Sequence, residues 1–577
     1  MRSQSRPSSQ HNTFPTVSVS NFPCFSSSPP PLPTKLMASL TFTPIRTTFT
    51  GGNNPPPSPS LPLRLHRFPA RISCQKTHSS ESQHNTTKTH QLPPGPPKLP
   101  LIGNLHNLIG ALPHQALRNL AAEYGPLIHL QLGEISAAVV STPAMAQEIM
   151  KTHDLNFADR PRLLASEIAT WGSQDIAFSP HGEYWKQMKR ISLTELLGPR
   201  KTQSFRGIRE TEVSDMIASV RNSVGKPVNL TEKVLSLTNT ITCKTAFGYQ
   251  CMDQEEFVGL MNGAVRAAAG FNIADLYPSL GFLQGITGMK SELLRIRNGL
   301  DRIFDRIIKQ HEEKRAKGEV DLDDEDLMDV LLRLQGSGGF KCPITSTNIK
   351  AVLVDLFIAG TDTSSTTVEW AMSEMVKNPR VMKKAQAEVR EAMKGKSVVT
   401  EADIQNLPYL SAVIKETFRL HPPAPLLLPR ESKANCVVAG YEIPKKTKVI
   451  VNAWAIGRDP GTWKDPEAFV PERFDGSEID FKGMHFELIP FGAGRRICPG
   501  IAFGMANVEL PVAQLLYYFN WELPEGLAVE DFDMEESFAA TMGRKNALYL
   551  IPREFNVPDG QPAVNGSSSE MLAAAAN

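Results

Sequence analysis

The chain has 577 residues, of which 41% are hydrophobic and 21% charged, and its formal net charge is +1. This is the composition of an ordinary folded protein, and it excludes a wholly disordered chain. No run in the sequence approaches the roughly 18 consecutive apolar residues that a membrane-spanning helix needs, which excludes a multi-span membrane protein.

The charge is distributed unevenly along the chain. Residues 1–92 contain nine Lys or Arg and a single acid, Glu81, so this segment carries +8 and the rest of the chain sums to −7. A nucleic-acid-binding protein would carry a basic face on its folded domain. The distribution therefore argues against nucleic acid as a partner.

The first 74 residues are predicted to be a transit peptide. They are rich in Ser, Thr, Pro and Arg and nearly free of acid, which is typical of such targeting segments. A start at Met37 and cleavage near Cys74 would suit a chloroplast address. The alternatives are a disordered tail or a wrongly assigned first exon, and in the second case the protein would belong to the endoplasmic reticulum membrane.

The rest of the chain is predicted to hold one large domain. Residues 75–97 form a linker ending in a stiff proline hinge, the domain covers 98–557, and 558–577 form a loose polar tail. Apolar surface near residues 99–112 is a candidate for peripheral membrane contact. The seven cysteines include no C-x-x-C pair, so they indicate neither a disulfide framework nor a zinc ribbon.

Periodicity predicts a mainly α domain with small β-sheets. Helices are predicted over 113–124, 145–152, 299–315, 321–335, 345–378, 379–393, 410–420 and 501–516. Short strands are predicted over 127–133, 137–141, 437–443 and 448–451. The chain has neither a G-x-G-x-x-G after a strand nor a G-x-x-x-x-G-K-[ST], so the usual dinucleotide and nucleotide fingerprints are missing.

The strongest chemical signal surrounds Cys498. Residues 491–500 read FGAGRRICPG and directly precede an apolar helix. The glycines, Gly494 among them, let the backbone turn tightly and approach a flat ligand. The loop N–H groups and the helix N-terminus favour a thiolate at Cys498, and Arg496 can pair with an acidic group of the ligand.

This pattern resembles the F-x-x-G-x-R-x-C-x-G signature of plant cytochromes P-450, haem-thiolate monooxygenases that are usually microsomal. The resemblance covers roughly residues 93–557, essentially the whole predicted domain. It implies a single large P-450 fold, with haem b between the long oxygen-activating helix and the helix after the cysteine loop. It also implies that Cys498 is the axial ligand of the haem iron and that Phe491, Gly494 and Arg496 belong to the cofactor site. Thiolate ligation favours O–O cleavage.

Two further motifs follow the family's order. Glu416 and Arg419 form an E-x-x-R pair on one helix face. By resemblance, Arg473 in the sequence PERF joins them in a buried network. All three are predicted to stabilise the fold and to take no part in the chemistry.

Residues 359–364 read AGTDTS and lie midway along the longest predicted helix. Without context, this would be a plain buried helix whose hydroxyls bond back to carbonyls. By resemblance, small Ala359 leaves room for dioxygen and substrate, Thr363 donates a hydrogen bond to dioxygen, and Asp362 relays protons. Breaking the O–O bond consumes two protons, so an acid beside an alcohol is the expected pair.

Trp185 and Lys189 match the family's W-x-x-x-R pattern, except that Lys stands in place of Arg. The resemblance implies that these two residues and Arg430 hold the haem propionates. Lys supplies charge without the bidentate fork of Arg, and Arg190 points about 100° away around the helix. The basic residues of this helix would also suit docking of an acidic electron donor.

By resemblance, the substrate pocket includes Ala359, Leu426, Leu427 and Ala540, which are small or apolar. Such a lining suits a hydrophobic small molecule, and the sequence near the cysteine loop resembles plant terpenoid hydroxylases. Alkaloid and phenolic substrates are alternatives. The protein is expected to be a monomer that uses O2 and NADPH-derived electrons, supplied by cytochrome P-450 reductase or by plastid ferredoxin.

Two other functions are compatible with a haem thiolate. One is rearrangement or dehydration of hydroperoxides without O2 or a reductase, as in plastid allene oxide synthases. The pair Asp362 and Thr363 argues against it, because that chemistry needs no proton relay. The other is a non-enzymatic haem-binding sensor, in which the same pair would have no use.

Overall fold

The computed structural model describes residues 91–249, 254–267, 273–281, 288–321, 324–538 and 541–555. The predicted transit peptide, most of the linker, the tail from 556 onward and Ala540 lie outside the described residues.

Helices dominate the described chain. In order they are α1 (Pro113–Tyr124), α2 (Pro143–Gln147), α3 (Leu164–Ala169), α4 (Glu183–Ile191), α5 (Pro199–Ser204), α6 (Arg206–Arg221), α7 (Leu230–Phe247), α8 (Gln254–Ala267), α9 (Ile273–Leu276), α10 (Met289–Ala316), α11 (Leu327–Ser337), α12 (Ser346–Lys377), α13 (Pro379–Ala392), α14 (Pro408–Leu420), α15 (Ala453–Ile456) and α16 (Ile501–Tyr518). Segments Glu148–Thr152 and Ser192–Leu196 are π-helical. Short 3-10 turns lie at Leu105–Leu108, Pro278–Leu280, Pro471–Phe474 and Gly494–Arg496.

The strands form small sheets. They are β1 (Leu127–Leu132), β2 (Ile135–Val140), β3 (Val228–Asn229), β4 (Arg430–Glu431), β5 (Cys436–Val438), β6 (Tyr441–Ile443), β7 (Lys448–Val451), β8 (Phe519–Glu522), β9 (Glu536–Phe538), β10 (Met542–Arg544) and β11 (Tyr549–Glu554). One sheet has the order β1-β2-β7-β4, in which β2 and β7 are parallel. Another is β3-β11-β8, and β5-β6 and β9-β10 are hairpins. The predicted mainly α fold with small sheets is confirmed.

Two departures from the sequence prediction have clear physical causes. Residues 437–443, predicted as one strand, form β5 and β6 instead. Ala439 and Gly440 reverse the chain between them with φ of 50° and 86°. Helix α7 was not predicted. Most of its residues are buried, so its sequence lacks the polar stripe that marks a surface helix.

Helix α12 runs through the largest hydrophobic cluster and positions the site. It starts with a capping box, in which Thr345 accepts the N–H of Asn348 (3.3 Å) and the Asn348 side chain accepts the N–H of Thr345 (2.8 Å). Residues 348–354 and 364–376 are buried, but Ala359 between them is exposed. The middle of the helix therefore borders accessible space. Among the described helices, none has both the length and the apolarity of a membrane span.

The structure brings together the three residues predicted to stabilise the fold. Arg419 donates to both carboxylate oxygens of Glu416, at 2.7 and 2.8 Å, and Arg473 donates to one of them at 2.9 Å. The side chains of Glu416 and Arg419 are fully buried. Arg419 also donates to the carbonyl of Ala468 (2.9 Å), so the network joins α14 to the loop before PERF.

Replacing Glu416 with Gln should lower the free energy of unfolding by about 3–5 kcal/mol, because Arg419 would remain buried without its anion. Chemical denaturation measures the change. Glu472→Gln is the matched control, since that carboxylate in the same region is partly exposed where it pairs with Arg380. The control should cost less than about 1 kcal/mol. Equal losses in both variants would contradict a special role for the buried network.

Candidate functional site

The cysteine loop is closed by backbone hydrogen bonds. The N–H of Cys498 donates to the carbonyl of Phe491 at 3.0 Å, and the N–H of Gly500 reaches Sγ of Cys498 at 3.3 Å. Burial raises the pKa of the Cys498 thiol, while the Gly500 N–H and the charge of Lys189 act in the opposite direction. Coordination to a metal ion would replace the thiol proton, and the Gly500 N–H and the Lys189 charge would then stabilise the thiolate.

Gly494 is required by the packing of this loop. Its φ is 68°, and a Cβ there would lie 2.2 Å from the carbonyl oxygen of Met150 and 2.8 Å from Oδ1 of Asp154. Phe491 packs its ring against Phe418, with ring centroids 5.1 Å apart. Both residues shape the loop, and their contact with haem stays a prediction.

Arg496 and Trp185 meet beside the cysteine loop. The guanidinium carbon of Arg496 lies 4.3 Å from the centroid of the Trp185 ring. Arg496 donates to the carbonyl of Ala158 at 2.8 Å, and the indole N–H of Trp185 donates to the carbonyl of Ile176 at 3.1 Å. Carbonyl partners fix the guanidinium without neutralising its charge.

Lys189 and Arg430 also reach the loop. The Lys189 ammonium donates to the carbonyl of Arg495. Arg430 donates to the carbonyl of Ala493 at 2.8 Å and to Oδ1 of Asp154 at 3.3 Å. Lysine thus lies on the side of α4 that faces the cysteine loop, where the pattern expects arginine.

Sequence reasoning missed Arg160, which joins this cationic group. It is buried and donates to the carbonyls of Ala177 and Leu428, both at 2.8 Å. Burial lowers the pKa of Arg160 well below its usual value, and the charges of Arg496 and Arg430 lower it further. Arg160 lies in a loop without helical or strand periodicity, so only its position next to a proline marked it in the sequence.

These cations test whether the site fits haem. Arg160, Arg430 and Arg496 are all buried, and Asp154 is the carboxylate that bonds directly to one of them. Their other partners here are carbonyls, so positive charge remains for a ligand with carboxylates, such as the two propionates of haem. Together with Cys498, the residues present fit this cofactor.

The predicted oxygen-side residues lie in the middle of α12. Asp362 and Thr363 are half-buried, and the Thr363 hydroxyl donates to the carbonyl of Ala359. Burial raises the pKa of Asp362 to about 6. A carboxyl group with this pKa exchanges protons near neutral pH, as a relay requires. Ala359 is the exposed residue beside this pair.

Gly360 serves helix packing, whereas its neighbour Ala359 borders the accessible space. A Cβ at this position would lie 3.2 Å from the hydroxyl of Thr242 and 3.5 Å from the ring of Phe503. The glycine therefore lets α12 approach α7 and α16 closely. Ala359, in contrast, is exposed and presents its small side chain to the accessible space.

The predicted substrate residues divide between two environments. Leu426 is buried in the cluster beneath β1 and β2. Leu427 has a φ of 48° and is half-buried, and Leu428 is 41% exposed. The left-handed turn at Leu427 sends its two neighbours to different surroundings. The role of these residues stays a prediction, and Ala540 lies outside the described residues.

A haem-thiolate oxygenase is the class of protein that this arrangement of thiol, arginines and helical acid–alcohol pair fits. Sequence comparison agrees, because the family model described as Cytochrome P450 matches residues 93–551. The chain therefore belongs to the cytochrome P450 family. It is a monooxygenase that uses haem with thiolate-ligated iron, O2 and electrons derived from NADPH.

Named relatives are similar over most of the chain. Desmethyl-deoxy-podophyllotoxin synthase of Sinopodophyllum hexandrum is 54% identical, over 81% of this chain and 92% of the relative. Premnaspirodiene oxygenase of Hyoscyamus muticus is 50% identical, over 81% and 94%. A zebra fish cytochrome P450 solved with progesterone superposes with a TM-score of 0.67 at 24% identity, over 77% of this chain and 100% of that chain. The last comparison shows the fold alone.

Proposed function

We propose that the protein inserts one oxygen atom of O2 into a hydrophobic plant small molecule, with a terpenoid as the favoured substrate. The observation that carries the proposal is the Asp362–Thr363 pair beside exposed Ala359, in the middle of a helix that is otherwise largely buried. A non-enzymatic haem binder and a hydroperoxide-rearranging enzyme would have no use for this pair.

The chain's own residues divide the work. Bound haem, held by a thiolate, supplies the activation of O2. Cys498 would hold the iron, and Arg430, Arg496 and Lys189 would hold the propionates. Asp362 takes up a proton from solvent, and the Thr363 hydroxyl passes it toward the reacting oxygen.

The substrate class rests on composition and on the relatives' names. Ala359, Leu427 and Leu428 offer apolar surface with few polar anchors, which suits a hydrophobic ligand. One relative at 50% identity is named premnaspirodiene oxygenase, a terpenoid-related name that supports a terpenoid substrate. Alkaloid and phenolic substrates remain the alternative class.

Cytochrome P-450 reductase is the proposed electron donor in the endoplasmic reticulum, and ferredoxin takes its place in a plastid. Peripheral membrane contact is supported by exposed apolar side chains within residues 99–112, where Leu101 is 88% and Ile109 is 79% exposed. The protein is proposed to act as a monomer. Imaging a fluorescent fusion of the full chain in leaf cells, beside one that starts at Met37, distinguishes the two locations.

The proposed reaction is tested by incubating the full chain with NADPH, reductase and a panel of terpenoids under 18O2. We expect a product that carries one labelled oxygen and forms only when NADPH and reductase are both present. A parallel incubation with a fatty-acid hydroperoxide, without NADPH, tests the alternative. Turnover of the hydroperoxide, with no product from the terpenoid panel, would contradict the monooxygenase proposal.

A further inference from the structure

A pair of carboxyl groups lies two turns along α12 from Asp362. Asp355 is half-buried on α12, and Asp175, on the loop between α3 and α4, is 0% exposed. Among the described residues, Oδ2 of Asp175 accepts the N–H of Phe178 at 3.2 Å, whereas its Oδ1 is buried without a hydrogen-bond partner.

Asp355 also holds the backbone of that loop. Its Oδ2 accepts the N–H of Ile176 at 2.6 Å and the N–H of Ala177 at 3.0 Å. Two N–H donors favour the charged form of a carboxyl group. Asp175 has no partner at its buried Oδ1, and burial together with the neighbouring carboxylate of Asp355 raises its pKa well above the usual value. Asp175 is therefore the member of the pair that carries a proton.

The same two loop residues direct their carbonyls to the cofactor side. The carbonyl of Ile176 accepts from Trp185 at 3.1 Å and from Arg496 at 3.3 Å, and the carbonyl of Ala177 accepts from Arg160 at 2.8 Å. Two consecutive residues thus connect Asp355 on one side to the buried arginines on the other.

We propose that Asp175 and Asp355 are positioning residues for the cofactor. Asp355 holds the loop between α12 and the cationic group through the N–H groups of Ile176 and Ala177, so that Arg160 and Arg496 stay oriented toward the carboxylates of haem. Neutral Asp175 adds no second negative charge beside it. The inference rests on the proposed function, since it presupposes that haem binds here. When rising pH removes the proton of Asp175, two adjacent carboxylates repel each other and the loop loosens.

The charged and titratable groups that face the pair are Arg160, Arg496 and Tyr184. The two arginines stay cationic across the neutral range and moderate the repulsion. Burial raises the pKa of Tyr184, so its phenol stays neutral there. The ionisation of Asp175 is therefore the change in charge.

Haem retention tests the proposal in the full-length, haem-loaded protein. Transfer of haem to excess apomyoglobin is timed from roughly pH 7 to pH 9, which lies above the pKa of about 6 at Asp355, so that Asp355 stays charged while Asp175 loses its proton. We expect haem loss from the wild type to accelerate as pH rises. Asp175→Asn should give slow loss at every pH, because an amide does not ionise in this range. Asp355→Ala should lose haem about tenfold faster than wild type at the low end of the range.

Asp329→Asn is the matched control, since this buried acid lies on α11 and its raised pKa arises from burial near Asp326. It should follow the wild type. If Asp355→Ala keeps haem as long as the wild type, or if Asp175→Asn keeps the wild-type pH dependence, the positioning role is overturned. Asp175→Asn is isosteric, so it decides the question even if Asp355→Ala does not fold.

The spectrum of the reduced wild type with CO distinguishes failure of the proposed function from failure of the positioning role alone. If the band of thiolate-ligated haem is missing, the proposed function and this inference both fail. If the band is present and the variants behave as wild type, only the positioning role is overturned.

Discussion

Cys498→Ser is expected to reduce product formation by at least about a thousandfold. A serine hydroxyl does not ionise at neutral pH and does not supply the electron density of a thiolate. The Gly500 N–H that reaches Sγ of Cys498 would remain, but it would face an alcohol. The measurement is product formation by the reconstituted full chain, together with the spectrum of its reduced form with CO.

Cys436→Ser provides the matched control for this substitution. Cys436 is also a free, half-buried cysteine, but it lies on the β5–β6 hairpin. We expect this variant to keep both its activity and the thiolate band. An active Cys498→Ser protein would show that another residue holds the iron, and the proposed site would be wrong.

The motifs predicted the parts of the site that lie close together in sequence. The loop around Cys498 is encoded within ten residues, and its turn geometry follows from local requirements such as the positive φ of Gly494. Asp362 and Thr363 are adjacent on one helix. Such short-range patterns survive in a single sequence because spacing alone places the groups.

The missed residues act across long distances in sequence. Arg160 meets Leu428 across 268 positions, and Asp355 meets Ile176 across 179. No periodicity in either segment indicates these contacts, since they depend on how α12 and the loops pack. In the sequence, Arg160 and Asp355 are each a charged residue in an otherwise apolar or irregular stretch. This pattern does not indicate which residue each of them contacts.

Local backbone geometry explains where the substrate prediction was too coarse. Leu426 and Leu427 were predicted to belong to one apolar lining, but the left-handed φ at Leu427 separates buried Leu426 from exposed Leu428. A φ of this sign is uncommon for a residue other than glycine, so sequence pattern gives no warning of it. Leu428 therefore becomes the better candidate for contact with substrate.

Asp362→Asn is expected to lower kcat by about 10²–10⁴-fold, the usual contribution of a positioned proton donor, while substrate binding stays within a few-fold. The reason is that an amide cannot exchange a proton with solvent. In the wild type, the protonated fraction of Asp362 falls as pH rises through about 6, so kcat should fall over that range. The variant should lose this dependence.

Glu509→Gln is the matched control, because burial and the charge of Glu401 raise the pKa of this α16 carboxyl to about 7, close to that of Asp362. Its kcat and pH profile should equal those of the wild type. Product formed and NADPH consumed are measured together across pH with a substrate from the terpenoid panel. If Asp362→Asn keeps the wild-type pH profile at reduced kcat, the carboxyl orients the helix and another group delivers the proton. If kcat is low and independent of pH in Asp362→Asn but not in Glu509→Gln, Asp362 delivers the proton. A mere loss of helix packing would lower kcat without removing its dependence on pH.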